Sequence, residues 1–366
     1  MNPSLFLIAS TAGLLVASTS SQEVSVRRLD RRSGASALSI VEPIPTIDGL
    51  QVSLIDGAVE RTDLVPWDGI ARLEPPDNAA LERRIQDGVE LGTLVWRGRE
   101  RLRRGDARLA ADAFDRAGGR LEVAGLLGGL LDRSVIEGRL RAEVALGRSE
   151  RILGEAIVAG EFLGQAGGRF DGVAFGPEVV DTRTGLVPAA PPVGDLEALT
   201  RFDDFMRTHP TSDREAMRRR SLWRSLLRAE AAPADLGRPS ADDEGAMFLW
   251  HLSRLDDPDA KAREAARKVL LRGDRDRADW TRIWSRFFAG RSAIAHAAGE
   301  ADLLRGVLDL LHVIADEGPV PPALRREATD LVVETLERLD RDAEAAVFES
   351  LSPRRPRGRR PLEASP

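Results

Sequence analysis

Apolar positions recur at helical spacing through most of the second half of the chain. Ala262, Ala265, Ala266, Val269 and Leu270 fall at i, i+3, i+4, i+7 and i+8. Trp280, Ile283, Trp284, Phe287 and Phe288 repeat the series, and Ala328, Leu331, Val332, Thr335, Leu336 and Leu339 give it again. A strand alternates its side chains between two faces and could not bury such sets together, so the pattern predicts a C-terminal helical domain over 195–351. The first half carries a shorter version of the same signal. Leu91, Leu94, Val95, Gly98 and Leu102 make the buried stripe of a long helix that begins after Pro75-Pro76, is capped by Asp77 or Asn78, and runs to about Arg104. A second helix follows from Ala107 to Ala117, and a degenerate pair is expected at Val135–Leu146 and Ile152–Leu163, joined at Gly147-Arg148. Together these make a helical unit over 77–165.

The remaining segments follow from breaks in that pattern. Over 49–76, Val52, Leu54, the turn Asp56-Gly57, Val59, Val65-Pro66-Trp67 and Ile70–Leu73 predict a small β-rich element of about three short strands. Such a unit is too small to stand alone, so it should pack on the helices with Trp67 as its anchor. Residues 22–48 are polar, rich in arginine and broken by Pro43 and Pro45, and read as an extended arm. Gly167-Gly168, Pro177, Gly185, Pro188 and Pro191-Pro192 interrupt the helices at 166–194. That stretch is either a proline-stiffened linker or an ordered insertion, with a hairpin at Val179–Val187 turning at Thr182–Gly185. Residues 352–366 carry Arg354, Arg355, Arg357, Arg359 and Arg360 among prolines and glycine, and read as a disordered tail.

Within 94–117, Gly98, Gly105, Asp106, Ala110, Phe114 and Ala117 stand where a tetratricopeptide-type helix pair places them. Small residues let the two helices approach, Gly105-Asp106 makes the turn, and Phe114 plugs the groove between turns. This stretch resembles one tetratricopeptide repeat. It departs from the family at Arg97 and Arg101, which stand where a leucine and a tyrosine are usual. The segment 252–271, where Asp257-Pro258-Asp259 opens an alanine-rich helix, resembles the helix pairs of HEAT-type repeats. The resemblance implies a helix-pair or α-solenoid-like array that binds peptides or proteins along one face and has no chemistry of its own. The fold class expected is therefore mainly α, with a small β-rich N-terminal element.

Composition narrows the partners. The 366 residues are 42% hydrophobic and 31% charged, as in a globular protein of about two or three structural units. Of 53 basic residues all but Lys261 and Lys268 are arginine, which, with 33 glycines, suits a GC-rich bacterial genome. The formal net charge of −6 argues against a nucleic-acid binder, because phosphate neutralisation needs an excess of basic residues. Absence of cysteine removes disulfides, thiolate nucleophiles and zinc–thiolate sites, and absence of tyrosine removes the phenolic acid or base. Leu5–Ser18 is a nearly unbroken apolar or small stretch, and Ala17, Thr19, Ser20 and Ser21 suit a signal peptidase. Residues 1–21 thus read as an export signal, cleaved or retained as an N-terminal anchor, although Met1-Asn2-Pro3-Ser4 lacks the usual basic residue. The stretch is shorter than the roughly 20 apolar residues of a spanning helix.

The residues that could carry chemistry are few. His296 with Glu300, and His312 with Asp316, are spaced i, i+4, which on an unbroken helix puts each pair on one face, as a metal or acid–base site requires. Each pair offers only two ligands where zinc takes three or four, so solvent-facing polar pairs are expected. His251 beside Trp250 reads as a boundary residue, and His209-Pro210 as a helix end. Adjacent carboxylates at Asp203-Asp204, Asp242-Asp243 and Asp256-Asp257 point apart on a helix or favour its N-terminal dipole. Met217–Arg228 sets Arg218, Arg219, Arg220, Arg224 and Arg228 around Leu222, Trp223, Leu226 and Leu227, which reads as a charged face over a core contact or a contact for an anionic partner. No catalytic, cofactor or metal residue is assigned. The expectation is a non-catalytic, exported protein-binding or scaffolding module of a bacterial cell envelope, with another protein or peptide as partner and a weak contact of the arginine tail with an anionic surface. Two other readings stand beside it: a hydrolase-like enzyme with its site between the helical units near 164–194, and a cytoplasmic assembly factor that uses the arginine tail. Convergent His, Asp or Glu in a deep pocket would favour the enzyme, and an open groove the binding module.

Overall fold

The computed structural model describes residues 24–30, 34–56, 59–73, 79–165, 179–272, 278–318 and 320–351. The expected export signal at 1–21 and the arginine-rich tail at 352–366 lie outside the described residues.

The chain is mainly helical with a small antiparallel sheet at its start. Strands β1 (Val24–Asp30), β2 (Gly34–Pro45), β3 (Gly49–Asp56), β4 (Val59–Pro66) and β5 (Ile70–Leu73) line up in the order β4-β3-β2-β1-β5. The three strands expected over 49–73 are β3, β4 and β5. β1 and β2 come from the segment 22–48, where the pattern predicts an extended arm. The signal was there: Val24 and Val26 alternate with Ser25 and Arg27, and Leu38 and Ile40 with Ser39, a period of two that the arginine content obscured. Their register pairs Val24 with Ile40 and Val26 with Leu38. In β3 and β4 the alternation decides which face is buried: Leu50, Val52 and Val65 are inside, while Gln51 and Leu64, paired across the two strands, face out.

Twelve α-helices follow among the described residues. α1 (Ala79–Arg103), α2 (Ala107–Leu121), α3 (Leu130–Ala145) and α4 (Leu153–Gln165) precede the 166–194 segment. After it come α5 (Leu196–Thr208), α6 (Arg214–Arg228), α7 (Glu244–Ser253), α8 (Ala260–Leu271), α9 (Asp279–Ala295), α10 (Glu300–Ile314), α11 (Pro322–Arg338) and α12 (Asp342–Leu351). Helices adjacent in sequence pack on one another, as in α1 on α2, α2 on α3 and α9 on α10. Asp106, Asp195, Asp213, Asp243 and Asp259 cap five of these helices, each accepting a backbone N–H of the first turn.

Two hydrophobic clusters share α3 as a wall. One joins the sheet to α1 and α2 through Leu50, Val65, Trp67, Ile70, Leu91 and Phe114, and takes Leu131 and Val135 from α3. The other runs from Ile136 and Leu140 of α3 through the later helices, with Trp223, Trp284, Phe287 and Phe288 at its centre. Trp67 anchors the sheet: it is buried, and its indole N–H donates to Thr46 O at 3.2 Å. Helix α1 receives it on two glycines one turn apart. A Cβ on Gly88 would lie 2.6 Å from the Trp67 ring, and one on Gly92 would lie 2.1 Å from Trp67 O. The expected close approach at Gly98 is also present, with Phe114 of α2 against it.

Candidate binding cleft at the 181–186 turn

Residues 179–194 form an ordered insertion seated in the helical core. Val180, Leu186, Val187, Ala190 and Val193 are buried. The expected hairpin contracts to a single bridge between Asp181 and Leu186. Asp181 explains the contraction. Its Oδ1 accepts the N–H of Arg183 at 2.9 Å and of Thr184 at 3.0 Å, a side-chain turn that folds the backbone back before a ladder can extend. Gly185 completes the reversal at φ +66, where a side chain would be strained. The turn is pressed onto helices on two sides. A Cβ on Gly160 of α4 would lie 1.9 Å from Gly185 O, and one on Gly245 of α7 would lie 1.9 Å from Thr184 O.

Between this turn, α7, the end of α8 and the start of α9 lies a half-open cleft of about 290 Å3. Met247, Phe248, Val269 and Leu270 supply apolar walls, and Asp181, Arg183, Thr184, Glu244, His251 and Thr281 are the polar groups around them. The apolar side is backed by an aromatic stack. Trp280 meets Trp284 edge to face at 5.0 Å and meets Phe248 at 5.6 Å, while Trp223 closes on Trp284 at 6.1 Å. Two indole donors tie that stack to the insertion: Trp280 Nε1 donates to Asp181 Oδ2 at 3.0 Å and Trp284 Nε1 to Pro188 O at 3.2 Å. Arg219 of α6 holds the far side, donating to Asp243 Oδ2 at 2.9 Å and to Thr184 O at 3.3 Å.

The carboxylates of the cleft are engaged by the protein itself. Asp181 uses one oxygen for the turn amides and the other for Trp280. Glu244 pairs with Arg183, both partly open to solvent. The cleft therefore offers an apolar surface with a salt-bridged rim.

The sequence-proposed chemical pairs are placed elsewhere. His296 and Glu300 do not share a helical face: α9 ends at Ala295, His296 caps it, and Glu300 opens α10 after Gly299 in extended backbone. The run through Gly299 breaks the helix that the spacing assumes. His312 lies in the last turn of α10, and Asp316 lies beyond its end at Ile314. Both line a smaller hollow of about 160 Å3 with Arg282 and Arg286. Among the described residues no three His, Cys, Asp or Glu side chains gather as metal ligands. His251 stands at the cleft, edge to face with Trp250 at 5.0 Å. His209 caps α5, as its Pro210 neighbour foretold.

The adjacent carboxylates part company as expected. Asp256 binds Arg291 and Asp257 binds Arg254; Asp203 binds Arg224 and Asp204 binds Arg207. On α6 the arginines are mostly spent within the fold: Arg218 pairs with Glu215, Arg219 with Asp243, Arg220 with Glu161 and Arg224 with Asp203, over buried Leu222, Trp223 and Leu226. Sequence reading missed Glu244, Gly160 and Gly245 as determinants of the cleft. Only the two glycines, standing among larger helical residues, carried a signal. No family model, curated protein or solved structure matches the chain.

Proposed function

We propose that this chain is a non-catalytic binding module whose cleft at the 181–186 turn takes an apolar side chain from a peptide or protein segment. The supporting observation is the combination of an open apolar hollow with rim carboxylates already committed to internal partners. Helix pairs packed in sequence order suit the tetratricopeptide-like or α-solenoid-like scaffold proposed from Gly98, Gly105 and Phe114, whose members present such surfaces to extended partners. Export to a bacterial envelope is proposed with it, on the apolar stretch at Leu5–Ser18.

Selection of a displayed random-peptide library on the purified protein tests the binding reading. Retained peptides should share an apolar residue, and Val269→Arg, which puts a charge into the cleft wall, should abolish retention while the far-ultraviolet circular dichroism stays unchanged. Retention indifferent to Val269→Arg would move the site elsewhere. A turnover activity lost in Glu244→Gln would replace the binding reading with the hydrolase-like one. Location is tested separately by mass analysis of the native N-terminus from cell fractions. A mature chain starting shortly after Ala17 outside the cytoplasm supports export, and a retained Met1 in the cytosol overturns it.

A further inference from the structure

Away from the cleft, a line of buried charges crosses the seam between α3, α4, α5 and α6. Asp132 sits in the first turn of α3, 2% exposed, and accepts the N–H of Gly128 at 2.8 Å. His209 caps the C-terminus of α5, its ring stacked on Phe205 at 4.1 Å and its Nδ1 3.2 Å from Phe205 O. The other ring nitrogen, Nε2, reaches across to Asp132, 3.3 Å from Oδ2 and 3.5 Å from Oδ1. The two helix ends that meet here have opposite polarity. A negative charge is favoured at the N-terminus of α3 and a positive one at the C-terminus of α5, so an imidazolium facing a carboxylate satisfies both dipoles at once.

The surrounding elements fix the ring in place. Phe205, beneath it, is seated on Gly154 of α4, where a Cβ would lie 2.7 Å from the Phe205 ring. From α6, Arg220 donates to His209 O and grips Glu161 of α4 at 2.6 and 2.7 Å. The other charged groups on the packed elements are Arg133 and Arg139 of α3, the first over the Phe162 ring at 4.9 Å and the second paired with buried Glu155 of α4 and with Asp115 of α2. Asp204 and Arg207 of α5 pair with each other on the exposed side. Each of these charges has a partner that keeps it, and the His209 proton is the one that can leave near neutral pH.

We propose that the His209–Asp132 contact is a proton-operated latch that fastens the end of α5 to the start of α3 and releases it when the imidazole loses its proton. Protonated, the ring donates from Nε2 to Asp132 and from Nδ1 to Phe205 O, and both helix ends are satisfied. Deprotonated, the ring loses the positive charge that faces Asp132 and keeps one N–H. Phe205 O still accepts the His209 backbone N–H at 3.1 Å and the Thr208 hydroxyl at 2.9 Å, so what is lost is the charged contact across the seam between α5 and α3. Burial pulls the His209 pKa down, but the hydrogen bond and charge of Asp132, with smaller help from Phe205 O and Glu155, carry it above the ordinary imidazole value. A folded-state value above the unfolded one means that the latch contributes fully below the unfolded value and is lost as pH rises through the folded value. The opening therefore lies above the ordinary imidazole value.

With four histidines in the chain, the ring resonances of His209 can be followed individually by nuclear magnetic resonance of the full-length protein. His209 should titrate above the ordinary imidazole value, and Asp132→Asn should lower its midpoint. Across the same pH range, amide exchange in Phe205–His209, corrected for intrinsic base catalysis, should quicken by about three- to tenfold in the wild type. In Asp132→Asn and in His209→Gln that corrected rate should not change with pH. A His209 midpoint at or below the ordinary value, or a corrected exchange rate that is flat through the titration, would overturn the latch.

Discussion

The ring of Phe114 occupies the space in which Gly138 would carry a side chain. A Cβ on Gly138 of α3 would lie 2.2 Å from Phe114 Cζ, and Gly98 of α1 faces the same ring from the other side at 2.7 Å. One phenyl ring thus sets the spacing of α1, α2 and α3. Gly138→Ala should destabilise the protein by at least the 1–3 kcal/mol of an overpacked core, because the ring is fully buried and has no free direction to yield. The check is a urea unfolding midpoint for Gly138→Ala, Phe114→Leu and the double variant. Shortening the ring should recover part of the Gly138→Ala loss, and additive effects would mean that the two residues do not touch.

Asp181 organises the cleft by meeting three donors at once. Asp181→Ala leaves two turn amides and the Trp280 indole without their acceptor, for an expected loss of about 1–3 kcal/mol for each group that water cannot reach. Asp181→Asn keeps one acceptor oxygen and should lose less. Trp280→Phe removes the indole bond and part of the ring packed on Trp284 and Phe248, but leaves both turn amides with their acceptor. Denaturant unfolding ranks the three, and an equal loss in Asp181→Asn and Asp181→Ala would show that the charge, not the acceptor geometry, matters.

The helices were legible because their signal is local. The stripe through Leu91, Val95 and Leu102, and the sets around Val269, Trp284 and Val332, need only a period of 3.6 to be found, and α1, α8, α9 and α11 lie on them. The sheet was half legible: Asp56-Gly57 marked one hairpin, whereas β1 and β2 were hidden by arginines that a period-two reading would have passed over. The cleft was not legible. Asp181 and Trp280 stand far apart in sequence, and nothing local to either says that an indole N–H will find that carboxylate. The spacing of four at His296 and Glu300 means a shared face only where the helix is unbroken, and Gly299 interrupts it.

Asp309 of α10 holds two cations on one buried carboxylate. It is 3% exposed, Arg286 Nη1 donates to its Oδ1 at 2.7 Å, and Arg267 binds its Oδ2. Arg267 also donates to Ala289 O at 3.2 Å, so the carboxylate ties α8, α9 and α10 together. Removing it strands two guanidinium groups, and Asp309→Ala should cost about 3–5 kcal/mol, the range for breaking a buried ion pair from one side. Arg286→Met leaves Asp309 with Arg267 and should cost less. Urea midpoints measured at one pH compare them, and a loss under about 1 kcal/mol for Asp309→Ala would mean that water reaches the site.

Glu155 of α4 gives stability a second, acidic pH dependence. Its side chain is almost wholly buried against Arg139. Burial raises the carboxyl pKa above the ordinary carboxylate value, with Arg139 pulling the other way and not fully offsetting it. The folded protein then holds this proton at a pH where the unfolded chain has released it, so Glu155 favours folding below the unfolded value and stops doing so as pH rises through the folded one. Glu155→Gln has no proton to lose and should lack that downward slope, whatever its absolute stability. Arg139 keeps Asp115 at 2.9 Å in the variant, which preserves a charge partner for the folded state. Urea unfolding at closely spaced pH values from about 4 to 6 measures the difference between the two proteins. The wild type should lose ground to Glu155→Gln as pH rises across that window; a constant difference would mean that folding leaves the Glu155 pKa unchanged, and a wild type that gains ground would mean that Glu155 is ionised throughout, held by Arg139 against the cost of its burial.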